Sequence, residues 1–342
     1  MSFSRPVRFP LLKLPFLCIE AVIKNWDKFD IIFFAAISQK TRQIVKHLKI
    51  PLNIFRILLL ETNWIELSGS FRRWYFEKNE TESCFDVYRN SKRYPLMLHN
   101  KAIPLYTSKT DYGLESFTDG NEVAALKMAM EFLNELFNCS VETVSIVTGD
   151  FPDPFGVKSA RNLHITCNNL QSYSQAQNRQ LNILFENMEV TGTCTLWMSN
   201  TENGVYVDPK LFKCKQLVFS SGSASWVTRE TFLQFEVPRL TFLRCPFSVE
   251  DILSFVTNWF HSDNNKLEYF DILYQDGRIS LENFQTKKLN PVSISERNRV
   301  PSTGSFRYID FSKGLEIIRR DGISATIHVQ GKHFLFYIWN NQ

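Results

Sequence analysis

The residues able to do chemistry are present in the chain but never assembled in the pattern a reaction needs. Ser221-Gly222-Ser223-Ala224-Ser225 puts serines beside a glycine, yet the G-x-S-x-G spacing of a nucleophile turn is missing, and a tight loop accounts for it. His164 and Cys167 stand three apart in a strand-like run, where they face opposite sides, and no second pair completes four zinc ligands. His328 and His333 flank a turn. Asp150 and Asp153 fall in a Pro-rich loop, and Glu131 and Glu135 on a helix face turned to solvent; two carboxylates alone do not define acid–base catalysis. The glycines form neither G-x-G-x-x-G nor G-x-x-x-x-G-K-[ST], so no phosphate cradle is encoded. Cysteines 18, 84, 139, 167, 194, 214 and 245 are odd in number and widely spaced, with no C-x-x-C, which suits neither a disulfide framework nor a zinc site. Phe71-Arg72-Arg73-Trp74-Tyr75-Phe76 alternates basic and aromatic side chains, either a stacking platform for single-stranded nucleic acid or an edge strand whose aromatics face a core. A net charge of +4 in 342 residues does not by itself call for a polyanion. The expectation is a protein that is not an enzyme, with no cofactor, no metal and no nucleic-acid partner.

The elements with most to explain are apolar. Phe9 to Ile50 is too hydrophobic to stand alone, and its longest unbroken apolar run, Ile31 to Ile37, is far short of the ~20 residues of a membrane span. Pro15 suits the start of a helix over 16–25, whose only charges, Glu20 and Lys24, are spaced i,i+4. Asp30 is placed to cap a second helix, and Ser38 a third that stops before Pro51. Three short helices cannot bury that much apolar surface among themselves. They dock on a separate protein, or cap the chain's own C-terminal region. The runs FPLLKLPFLCIEAVI and FDIIFFAAISQKTRQIVKHL resemble an F-box, in the form found in the large group of nematode F-box proteins. The resemblance implies a Skp-type adaptor as partner and, through it, a cullin, with Phe9, Pro10, Leu11, Leu14, Pro15, Ile19, Val22 and Ile23 as the contacts. Arg5 and Arg8 precede an apolar run that Lys13, Pro15 and Glu20 interrupt, with no small-residue cleavage site, so no secretory signal is expected. The expected home is the cytoplasm or nucleus, with the Asn79 and Asn138 sequons as chance matches.

Between residues 121 and 285 six segments carry an apolar-x-apolar pair: Val144/Ile146, Leu163/Ile165, Leu196/Met198, Leu217/Phe219, Leu240/Phe242 and Phe270/Ile272. Helical patterns lie between several of them, at 122–137, 175–186, 229–235 and 249–260. First members of successive pairs are between 19 residues (Val144 to Leu163) and 33 residues (Leu163 to Leu196) apart, which brackets the ~20–29 of leucine-rich repeats. Only Asn168 and Cys245 supply the Asn or Cys a regular repeat wants three residues on, so the array is irregular; a plain layer of parallel strands predicts the same alternation. In either case the residues inside the pairs, Ser145, His164, Trp197, Val218, Thr241 and Asp271, project from an open sheet face as the candidate substrate surface, with Trp197 either an exposed anchor or folded under a loop.

Four apolar runs close the chain, at 306–311, 315–318, 323–329 and 334–339, separated by Lys313-Gly314, Asp321-Gly322 and Gly331-Lys332. They read as a four-strand antiparallel meander, and Ser324, Thr326 and His328 alternate with apolar neighbours as on a sheet wet on one face. The fold class is α+β: an N-terminal three-helix F-box, then an irregular strand-helix, leucine-rich-repeat-like α/β domain ending in the antiparallel β-meander. The boundaries are 7–52 for the helical module, 53–120 for a connecting region with short strands, 121–285 for the strand-helix repeat and 306–342 for the C-terminal strands. Residues 121–342 together resemble the type 2 F-box-associated domain of the same nematode proteins. That resemblance implies the substrate-recognition adaptor of a cullin-based ubiquitin ligase, holding an unknown protein substrate and no membrane. The alternative is an interaction scaffold without a ligase.

Overall fold

The structure is a computed structural model that describes residues 10–60, 63–68, 72–78, 94–96, 105–110, 113–118, 121–147, 156–167, 175–198, 206–220, 224–245, 247–274, 279–293, 306 and 309–339. Phe9, Phe71, the sequon at Asn79, the Asp150/Asp153 pair, Asn168, and Ser221 to Ser223 lie outside the described residues, as do the side chains of Cys167 and Cys245. The fold is mixed α/β and divides into two compact units, 1–142 and 143–342.

In the first unit a 3-10 turn at Leu11–Lys13 leads into α1 (Phe16–Lys24), α2 (Lys28–Ile37) and α3 (Gln39–His47). Pro15 sits at the N-cap of α1, and Glu20 and Lys24 pair at 2.6 Å. The cap of α2 is Asp27, which accepts from the Phe29 N–H at 2.9 Å. This corrects the expectation for Asp30, which lies inside the first turn because the helix starts three residues earlier. Ser38 caps α3 in a reciprocal box with Thr41. Ile19, Ile23, Phe29, Ile31, Ile32, Ala35 and Val45 are buried.

The strands that follow are β1 (Pro51–Leu59), β2 (Asn63–Leu67), β3 (Arg73–Lys78), β4 (Tyr94–Leu96), β5 (Leu105–Thr110) and β6 (Gly113–Thr118). They pair antiparallel except for the parallel β3–β6 pair. A register shift at Phe55 changes the parity of β1, so that Leu52 and Ile54, then Ile57 and Leu59, all face inward. Asn121 caps α4 (Glu122–Leu136), which is buried over most of its surface because it lies against α3 as well as β2, β3 and β6. Lys46 meets Glu135 at 3.7 Å, and the Arg42 guanidinium lies 5.0 Å from the Phe132 ring. Trp74 and Phe76 are core residues, stacked at 5.4 Å, and the Trp74 Nε1–H donates to Ser116 Oγ at 2.8 Å. Trp74 and Phe76 of the aromatic-basic run therefore face a core; Arg73 lies over Trp64 and pairs with Glu66.

Strand β7 (Asn138–Ile146) begins in the first unit, where Asn138 N–H bonds Ile50 O, and ends in the second. In the second unit its last residues start a run of parallel strands: β7, β9 (Asn162–Cys167), β11 (Thr193–Met198), β12 (Gln216–Phe219), β13 (Arg239–Cys245) and β14 (Tyr269–Tyr274). A separate parallel pair joins β8 (Ser159–Ala160) to β10 (Glu189–Val190). The connections carry α5 (Gln175–Asn187), the short α6 (Arg229–Phe232) and α7 (Val249–His261). All twelve members of the apolar pairs lie on one face and are at most 2% exposed. That face takes the helices: Phe185 of α5 packs through Phe212 onto Phe219, Phe232 of α6 onto Phe242 and Phe270, and Phe255 of α7 onto Phe270. Phe219 and Phe242 stack on adjacent strands at 4.7 Å.

The sheet continues antiparallel from β14 through β18 (His333–Trp339), β17 (Ser324–Gln330) and β16 (Leu315–Ile318) to β15 (Val292–Ser293). Two expectations are corrected here. Among the described residues of the run 306–311, 306 and 309–311, none is in a strand, and β15 is the partner of β16. Instead Phe306, Ile309 and Phe311 form a strap over Tyr269, Leu335 and Tyr337, with a 3-10 turn at Phe311–Lys313 capped by Asp310. The strap also removes the wet face expected for β17: Ser324, Thr326 and His328 are buried, Trp339 Nε1–H donates to Thr326 Oγ1 at 2.8 Å, and the Phe311 and His328 rings lie 6.0 Å apart. Both faces of that strand are covered, so polar alternation here does not mark a wet face.

Candidate functional site

Two surfaces present apolar side chains without burying them. On the helical module Pro10 and Pro15 are exposed, Leu11, Leu14 and Val22 are half-buried, and Ile19 and Ile23 are core residues that hold α1 in place. The outward apolar residues are Leu12, Phe16, Leu17 and Ile37, with Leu17 76% exposed and Ile37 64%. Sequence reasoning did not single these four out as contacts. The signal was in the spacing: 19, 22, 23 and 26 follow the i, i+3, i+4, i+7 rule of an inner stripe, which turns 17, 18 and 21 outward.

The second surface is the sheet face opposite α5, α6 and α7. Strand pairing aligns Ser145, His164, Thr195, Val218, Thr241, Asp271 and Leu335 in one row. Five of the six sequence candidates thus stand side by side. Trp197 lies two residues further along the same face, in a row with Thr166, Leu243, Leu273 and His333. Ser220, whose N–H bonds Leu196 O, follows β12 between Trp197 and Leu243. Trp197 is 52% exposed, and Leu243 and Leu273 are exposed beside it, so this row is the apolar one. The first row is polar and more enclosed: Thr241 is buried, and Ser145, His164, Val218 and Asp271 are half-buried. Leu243 and Leu273 were missed because a single sequence does not contain interstrand register.

Electrostatics on this face are largely self-satisfied. The Asp271 carboxylate bonds His333 Nε2, which raises the imidazole above its ordinary pKa. Arg239 pairs with Glu268 at 2.6 Å and lies 5.9 Å from the Tyr269 ring, while burial pushes the Tyr269 hydroxyl up to about 12. Among the described residues no three His, Cys, Asp or Glu are grouped so as to hold a metal ion, and no helix is long and apolar enough to cross a membrane. What this geometry offers is binding area: an apolar helical surface in one unit and an open, half-polar sheet face in the other.

Comparison with known proteins finds a family match over part of the second unit. Residues 210–272, from the turn before β12 into β14, match the family described as F-box associated. Two uncharacterized proteins of Caenorhabditis elegans are similar in sequence. One is 22% identical over 93% of this chain and 74% of its own length, the other 26% identical over 47% of this chain and 38% of its own. No solved structure matches.

Proposed function

We infer that the chain is a substrate-recognition adaptor of an SCF-type ubiquitin ligase, acting in the cytoplasm or nucleus. Its N-terminal helices are read as an F-box that binds a Skp-type adaptor and thereby a cullin. Its second unit, read as an irregular leucine-rich-repeat-like array, holds the protein to be ubiquitinated on the open sheet face. The observation that carries this reading is the match of residues 210–272 to the F-box-associated family. The exposed Leu12, Phe16, Leu17 and Ile37 support it, since apolar side chains left exposed on short helices suit an interaction surface. The chain then contributes no catalytic group to ubiquitin transfer. Two binding surfaces on one polypeptide raise the effective concentration of a substrate lysine near the ligase's catalytic subunits.

Co-expression with a Skp-type adaptor tests the reading. A stable complex is expected, and replacing Leu14 and Pro15 together by Ala weakens it by about 2 kcal/mol or more, as for buried anchors. A chain that is soluble and monomeric alone and does not bind the adaptor overturns it.

A further inference from the structure

Away from both surfaces the second unit brings two thiols together. Cys194 is the second residue of β11, and Cys214 lies in the bend just before β12, where Gln216 N–H bonds Gly192 O and Leu217 stands opposite Cys194. The two thiols lie close enough for each to shift the other's titration. Both cysteines are buried from bulk solvent, yet both line a cavity of about 290 Å³ walled by the end of α5 and by β10, with Lys158 and Lys213 in its lining. Since a water occupies roughly 30 Å³ of liquid, the cavity admits a small polar oxidant.

The two sulfurs are differentiated. The hydrogen bond from Cys194, followed by those from the backbone, lowers the Cys214 thiol below its ordinary pKa against the opposing effect of burial; burial pushes Cys194 well up. This is the division of labour of an attacking thiolate and a resolving thiol. Cys139 has no such environment, and burial pushes its thiol up to about 11.

We propose that Cys214 and Cys194 form a peroxide-reactive dithiol, oxidised through this cavity to an intramolecular disulfide. The Cys214 thiolate attacks one oxygen of hydrogen peroxide, the O–O bond breaks, and with one proton the second oxygen leaves as water, giving Cys214 sulfenic acid. The Cys194 sulfur then attacks the Cys214 sulfur, its proton leaves with the hydroxyl as a second water, and the S–S bond forms. Two thiols and one peroxide become one disulfide and two waters, and a cellular dithiol reductant reverses the step. The bond ties β11, which precedes the family-matched segment, to the lead into β12 inside it.

The test uses the full chain titrated with hydrogen peroxide, with remaining thiols alkylated and the digest read by mass spectrometry. A Cys194–Cys214 cross-linked peptide, two hydrogens lighter and restored by a dithiol reductant, is expected to form at least about tenfold faster than any modification of Cys139. In Cys194→Ser, Cys214 is expected to accumulate as a sulfenic acid trapped by dimedone; in Cys214→Ser neither product forms. Oxidation of other cysteines ahead of this pair, or dimedone labelling of Cys194 in place of Cys214, overturns the proposal. Should either variant fail to fold, the wild-type time course decides alone.

Discussion

Arg319 is a guanidinium buried to 1% of its side-chain surface, so each donor needs an acceptor. Nε and Nη2 bond Asp321 at 3.0 and 2.6 Å, Nη1 bonds the Asn264 carbonyl at 2.9 Å, Nη2 also meets Asn265 Oδ1, and the Trp259 ring lies 4.9 Å away. Replacing Arg319 by Ala removes all of these and leaves a hole, and is expected to destabilise the second unit by on the order of 3 kcal/mol in chemical unfolding. The histidines of the C-terminal strands give the unit two pH responses of opposite sign. His333 has a raised pKa because Asp271 accepts from it, so its contribution is complete below the ordinary imidazole value of ~6.5 and fades as pH rises through the raised one. His328 is lowered, first by burial and then by the His333 charge, against Gln330 and Asp310; it stays neutral in the fold, and stability is lost as pH falls through the ordinary value. Melting temperatures measured from pH 8 to 5 should therefore show His333→Gln losing stability relative to wild type as pH falls, and His328→Gln gaining. Parallel curves for the two variants would show that neither environment is as described.

Elements differ in how they use apolar residues, and α1 separates the two uses. Ile23 is fully buried, so Ile23→Ala is expected to destabilise the helical module by about 2–5 kcal/mol. Leu17 is mostly exposed, so Leu17→Asp should change folding by no more than about 0.5 kcal/mol while abolishing co-purification with a Skp-type adaptor. Circular dichroism melts and pull-downs on the same pair of variants check both halves. The strands of the second unit were legible in the sequence because a sheet with one buried face writes its register as a period of two, and Leu163/Ile165 or Leu240/Phe242 could pack in no other phase. The same period misled at Phe306 to Phe311, where aromatic alternation records burial without recording a hydrogen-bonding partner, and the run became a strap. It misled again in β17, where Thr326 and His328 look wet until something covers them. Of the candidate surface, Trp197 was legible as a residue but Leu243 and Leu273 were not, because they fall in its row only through strand pairing.

At the scale of the whole chain the proposed adaptor surface lies in residues 1–142 and the proposed target surface in 143–342, each with its own core. The two activities should therefore be lost independently. Trp197, Leu243 and Leu273 carry exposed apolar area in one row, and large side chains of this kind dominate interface energetics when a partner desolvates them. Trp197→Ala and Leu273→Asp leave the buried pairs of β11 and β14 untouched, and Asp271 keeps His333. Each is expected to weaken target capture about tenfold or more, with unfolding within about 0.5 kcal/mol of wild type and adaptor binding unchanged. Leu17→Asp should do the reverse, capturing target but not adaptor. Both classes should then fail in a reconstituted ubiquitin-transfer assay, since transfer needs both surfaces at once, and a mixture of the two variants should not restore it because neither molecule bridges ligase and target. Restoration by mixing would show that bridging within one chain is not the mechanism, and loss of adaptor binding in Trp197→Ala would show that the surfaces are not separate.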